Sequence, residues 1–192
     1  MLQLLFKIKR RARITLGEWN RRYLLLELRS LYAGRCFIDR STHFGKRFSV
    51  VFDASASTFT TGRNLNLRDD CIIRCGNGGK IAIGDNVFFN NNCSINCLKE
   101  ITIGNDNQFG ENVRIYDANH RFRDSSKLIS EQGYSEGKIT IGNNCWISSN
   151  VIILKDVTIG DNVVIGADCV IHKSIPSNSL VINRQDIEIR PL

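Results

Sequence analysis

The chain has 192 residues, 42% of them hydrophobic, and a formal net charge of +7. That is enough apolar matter for one well-buried core with a small appendage. It holds no apolar run of about eighteen residues, so no membrane-spanning helix is expected. Its N-terminus lacks the apolar segment and small-residue cleavage site of a secretory signal, so a cytoplasmic protein is expected.

Residues 1–35 carry nine basic side chains (Lys7, Lys9, Arg10, Arg11, Arg13, Arg21, Arg22, Arg29, Arg35) against Glu18 and Glu27. The remainder balances 17 basic with 17 acidic residues, so the basic character belongs to this first segment. Trp19, Tyr23 and Leu26 at helical spacing, with Leu24, Leu28 and Leu31 beside them, predict one helix over 17–32. It is expected to dock on the main domain and shield its first open edge. Such a segment reads as a solvated face packed on its neighbour, as a contact for an anionic membrane surface, or as a nucleic-acid contact. No nucleic-acid motif accompanies it, which weighs against the last reading.

Residues 36–178 form the main domain, and a six-residue period runs through them. It is weak at Ile38, Phe44, Val50, Leu67 and Ile73, and clear at Ile83, Phe89, Ile95 and Ile101. It slips by two residues to Ile103, Phe109 and Ile115, and then stops. From residue 141 it returns as IGNNCW ISSNVI ILKDVT IGDNVV IGADCV IHKSIP. There isoleucine falls at 141, 147, 153, 159, 165 and 171, and a second apolar residue follows each by four (Cys145, Val151, Val157, Val163, Cys169, Ile175).

A period of six fits neither a helix nor a long alternating strand. It fits a short strand plus a turn, with one large and one small side chain inward per unit, and the Asn, Asp and Gly between suit turns of unusual backbone angle. Stacked units make an all-β solenoid with one continuous apolar column. Cys71, Cys93, Cys145 and Cys169 occupy the small inward position, which explains them as core more simply than as zinc ligands.

The one long departure from the period covers residues 116–138 and begins IYDANHRFRD. Long loops on rigid scaffolds commonly hold function. Of the three histidines, His43 and His172 read as surface or packing residues, whereas His120 sits on this loop. Asp117 could orient its imidazole or cap the turn into the loop, and Arg121 and Arg123 are candidate acceptor contacts. Residues 179–192 form a tail.

The stretches IYDANHRF, ISEQGYSEGKITIGNNCWISSNVIIL and VIGADCVIHKSIP resemble the hexapeptide-repeat acyltransferases, and most closely their sugar and polysaccharide O-acetyltransferases. The resemblance covers roughly residues 65–178. It implies a left-handed parallel β-helix with three hexapeptides per coil, acetyl-CoA as acyl donor, a glycan hydroxyl as acceptor, no metal, and a homotrimer with each site between two subunits. It implies His120 as general base, a role that supplies about 10²- to 10⁴-fold, and Asn92 as an acceptor contact. It places Ser149 and Ala167 along the pantetheine arm and Lys173 near the nucleotide end, with Trp146 either walling the acceptor pocket or packing at the foot of the loop. The tail LVINRQDIEIR departs from the pattern, leaving Arg184 and Arg190 as substitute contacts for adenine, and WISSN stands where WIG is usual.

Three rivals remain at this level. One is a carbonic-anhydrase-like zinc enzyme on the same solenoid, which lacks an H-x4-H pair here. Another is an N-acyltransferase acting on an amino-sugar nucleotide. The third is a non-catalytic binding module. The basic segment would suit an acceptor near the inner face of a membrane.

Overall fold

The computed structural model describes residues 23–54, 56–184 and 190. Most of the basic segment, including Trp19 and the cations before Tyr23, lies outside the described residues. Three parallel sheets wrap one core. Face A stacks Cys36–Phe37, Thr58–Thr61, Lys80–Ile83, Glu100–Ile103, Lys138–Ile141 and Val157–Ile159. Face B runs from His43–Phe44 to Leu180–Val181, and face C from Ser49–Phe52 to Val170–Ile171. The chain visits A, B and C in turn, so each coil lies in parallel register on the one before, as with Ile101 on Ile81 and Ile139 on Ile101.

Every isoleucine of the clear repeat is buried, and so are the weaker positions Ile38, Val50, Leu67 and Ile73. The two-residue slip has a simple cause. Both Ile101 and Ile103 point inward from one face-A strand, and two extra residues enter at the turn before it. All seven cysteines are buried and unpaired. Burial pushes the Cys36 thiol up to about 11, in keeping with a thiol that serves as core.

The A/B and B/C edges explain the Asn and Asp content. Asn64, Asn86, Asp106, Asn144, Asn162 and Asn178 turn the first edge with φ between 53° and 60°. Asp70, Asn92, Asn112, Asn150 and Asp168 turn the second with φ between 58° and 63°. These residues tolerate the left-handed region better than other non-glycine types. Their side chains also bond from coil to coil, as Asn112 Nδ2 to Asn150 Oδ1 and Asn150 Nδ2 to Asp168 Oδ1, both 2.9 Å. Coils stack so closely that a Cβ on Gly142 would stand 2.7 Å from the backbone carbon of Gly160.

The expected helix is present over the described residues 23–31, but its inward face differs from the expected stripe. Tyr23, Leu26 and Leu31 are exposed, while Leu25 and Leu28 join the core. The reason is the direction of approach: Tyr32 packs on Phe52 with ring centroids 4.6 Å apart, which turns the 25–28 side toward the first coil. The helix thereby covers the solenoid's open apolar end.

Candidate active site

The third edge, between faces C and A, has no fixed turn length. The chain crosses it in three residues after Ile153 but extrudes residues 117–137 after Tyr116. The extruded segment is more regular than its sequence suggests. Ala118–His120 pairs antiparallel with Tyr134–Glu136, placing His120 directly opposite Tyr134. The amide of Gly137 donates to the Asp117 carbonyl at 2.7 Å, closing the base of the hairpin. Gly137 packs closely on the next coil there: a Cβ would stand 3.0 Å from the Asp156 backbone nitrogen and would displace its carboxylate. At the tip, Gln132 Nε2 donates to the carbonyls of Asp124 (2.9 Å) and Lys127 (3.2 Å), and Ser126 binds the Asp124 carboxylate. The Ser126 bonds hold the Asp124 carboxyl below its ordinary range.

Asp117 does not orient His120. It is fully buried and accepts from the backbone amides of Leu98 (2.7 Å), Lys99 (2.8 Å) and Glu100 (2.9 Å) in the preceding coil. The Cys97 thiol points at the same carboxylate, at 3.2 Å. Neither expected role is realised as stated: the carboxylate caps the 98–100 turn of the neighbouring coil and not the turn into its own loop. Its lone pairs are committed to these donors.

His120 is exposed at the end of its strand, its ring 4.4 Å from that of Tyr134. It lines two clefts. One, of about 580 Å³, lies between the hairpin and face C and is bordered by Asp53, Arg74, Asn77, Asn96, Tyr116 and Tyr134, among others. The other, of about 630 Å³, is bordered by Arg121, Arg123, Asp124 and Gln132 of the hairpin and by Lys155 of the later coil, which is paired with Asp156. An imidazole set between a polar, aromatic cleft and a charged one can move a proton between groups held on its two sides.

Other sequence-derived candidates fall elsewhere on the single chain. Asn92 is a turn residue of the B/C edge. Ser149, whose hydroxyl donates to Glu111 at 2.8 Å, and Ala167 share that edge. Trp146 is neither at the foot of the loop nor beside His120. It stands 57% exposed on face B, between Gln108 and Val164, because its strand precedes face C in the coil. Lys173 and His172 are exposed beyond the last face-C strand, and Arg184 is exposed. His43 lies on face B with Nδ1 2.9 Å from the Ser41 carbonyl, so the three histidines occupy three separate places. No cluster of three or more His, Cys, Asp or Glu side chains placed to hold a metal ion is found among the described residues.

Arg74, Asn96 and Tyr116 were missed, although the repeat marks them. Each follows an inward isoleucine of face C (Ile73, Ile95, Ile115), and their strands lie in register. The outward column beside the hairpin was therefore available from the period alone.

A six-residue solenoid that extrudes one ordered, histidine-bearing hairpin defines the hexapeptide β-helix class. Residues 138–173 match the family model described as bacterial transferase hexapeptide (six repeats). WbbJ of Escherichia coli K12, provisionally named a lipopolysaccharide biosynthesis O-acetyl transferase, is 32% identical over 155 residues, covering 76% of this chain and 70% of its own. A galactoside acetyltransferase solved in complex with coenzyme A superposes with a TM-score of 0.50 at 28% identity, over 74% of this chain and 60% of its own. The polysialic-acid-specific acetyltransferase NeuO gives 0.66 at 22% identity, over 76% and 61%, a likeness of fold. The chain belongs to the hexapeptide-repeat transferase family, and its fold is the left-handed parallel β-helix. It spans about half the length of several curated relatives it matches.

Proposed function

We propose that the protein is an O-acetyltransferase moving an acetyl group from acetyl-CoA to a sugar hydroxyl of a bacterial surface polysaccharide or its precursor. The observation that carries this reading is the place of His120, on a braced hairpin, with its ring bordering two clefts of different chemistry. The acceptor enters the cleft over face C, whose aromatic and amide side chains suit a sugar. The donor's thioester reaches His120 from the side of the later coils, at the cleft bordered by Arg121, Arg123 and Lys155. The His120 imidazole takes the proton of the acceptor hydroxyl as its oxygen attacks the thioester carbonyl. The tetrahedral intermediate collapses, the C–S bond breaks, and the imidazolium protonates the departing CoA thiolate. The products are the acetyl ester and CoA with a free thiol.

Asn92, Ser149 and Ala167 support a homotrimer. They lie along one edge, B/C, while the hairpin projects from another, so a second copy presenting its B/C edge to the hairpin would bring both sets to one site. On this reading the pantetheine arm runs between the two copies, and Lys173 meets the nucleotide end. A cytoplasmic location, with the basic segment touching the inner membrane face, fits an acceptor built on a membrane-bound carrier.

The test is mass spectrometry of bacterial surface oligosaccharides incubated with acetyl-CoA and the full chain. A gain of one acetyl group that mild alkali removes is expected. An alkali-stable acetyl group would favour amine acylation instead, and no transfer to any glycan would overturn the reading.

A further inference from the structure

We propose that the cleft beneath the hairpin is built for an acidic sugar, and that Arg74 recognises its carboxylate. This rests on the acetyl-transfer reading of the His120 site and deepens it. Arg74 points outward from face C into the cleft that His120 and Tyr134 overhang. Its only ion pair or hydrogen bond among the described residues is with Asp53, with Nε 3.9 Å from Oδ2, and both side chains are about half exposed (57% and 54%). That separation is too long for a hydrogen bond, so the donors of the guanidinium remain open to a ligand.

Elsewhere on the same solenoid, arginines meet aspartates with full geometry. Arg47 grips Asp70 through two contacts of 2.5 Å, and Arg63 grips Asp85 at 2.7 and 3.1 Å. Those pairs brace successive coils at turns. Arg74 is the cation among the residues that border the cleft over face C, and its fork is not closed in this way. A planar guanidinium with free parallel donors matches a carboxylate in two-point contact. Asp53 beside it already supplies one countercharge, so a second anion there is opposed, and a dianionic phosphate more strongly than a singly charged carboxylate held by two-point contact.

The remaining lining fits a pyranose ring. Asn96 offers an amide donor and acceptor to hydroxyls, and Asn77, whose Nδ2 already donates to Glu136, offers its carbonyl oxygen. Tyr116, Tyr134, Leu98 and Leu154 offer apolar surface to the C–H faces of the ring. Asn96 and Tyr116 lie in register beside Arg74 along the solenoid axis, so a sugar with its carboxylate on Arg74 spans the column toward the hairpin.

The full chain is tested with acetyl-CoA and matched acceptors: the methyl glycosides of glucuronic, galacturonic and mannuronic acid against those of glucose, galactose and mannose. CoA thiol release and ester mass are the readouts. The wild type is expected to favour a uronic acid over its neutral partner by about 10- to 100-fold in kcat/KM. Arg74→Gln should lower kcat/KM for the uronic acid far more than for the neutral sugar, so that the preference falls toward one while the denaturation midpoint stays at the wild-type value. Lack of preference in the wild type, or an equal fall for both acceptors in Arg74→Gln, would overturn the inference while leaving acetyl transfer standing. Absence of transfer to every acceptor that depends on His120 would overturn the underlying reading as well.

Discussion

Two edges of the solenoid follow opposite rules. On the B/C edge every full coil after the first turns at an Asn or Asp with positive φ, from Asp70 through Asp168. Side-chain bonds tie Asn112, Asn150 and Asp168 together, so an inserted residue would break contacts with the coils on both sides. On the C/A edge the crossings after Phe52, Cys75, Cys97, Tyr116 and Ile153 all differ in form, and the longest of them carries His120. The regular edge fixes the coils' stacking, and the variable edge is free to carry a site.

The variable edge still needs a fastening, and Asp117 supplies it. Asp117→Ala would leave three backbone amides of the 98–100 turn without their acceptor. A loss of about 3 kcal/mol or more is expected, seen as a lower urea midpoint. A change confined to activity, with the midpoint kept, would instead mean that Asp117 serves the imidazole.

On the regular edge the expected losses are smaller. Asn150→Ala removes two ladder bonds and puts a Cβ-only side chain at φ 61°, for a loss of about 2 kcal/mol. Asn150→Gly keeps the backbone at ease and should lose only the ladder part, about 1 kcal/mol. Equal midpoints for the two variants would show that backbone strain plays no role there.

The smallest effect concerns the strand on which the chain re-enters face A after the hairpin. Lys138 binds Glu100 of the preceding coil at 2.8 Å and, chiefly through that bond, holds the Glu100 carboxyl below its ordinary 4.5. A carboxyl depressed on folding stabilises the fold above its unfolded value and loses that contribution as pH falls through its folded value. The difference in urea midpoint between wild type and Lys138→Gln should therefore be small at pH 7 and shrink below about pH 4.5. A difference that grew on acidification would contradict this pairing.

Much of this contrast was legible in the sequence. Isoleucines at a fixed period mark the inward column, and the break after Ile115 marks the hairpin. The hairpin's own order was not legible, because it rests on Gln132, Asp124 and the Gly137 amide bonding across the loop without any period. Asp117 was ambiguous because its donors lie 17 to 19 residues earlier, a distance that a local motif does not encode. The helix buries Leu28, one of the residues named for it, but adds Leu25 and exposes Tyr23, Leu26 and Leu31, because the first coil and not helical spacing alone selects the inward face. Trp146 was misplaced because nearness in sequence to the loop does not give nearness in space when each coil turns through three faces.

The central claim is that chemistry resides on the extruded edge and depends on one imidazole. The direct measurement is the kcat for acetyl transfer by His120→Ala beside its urea midpoint. His120 is exposed and its ring only rests on Tyr134, so the midpoint should stay at the wild-type value while kcat falls about 10²- to 10⁴-fold. Undiminished kcat in a folded His120→Ala protein would contradict the account.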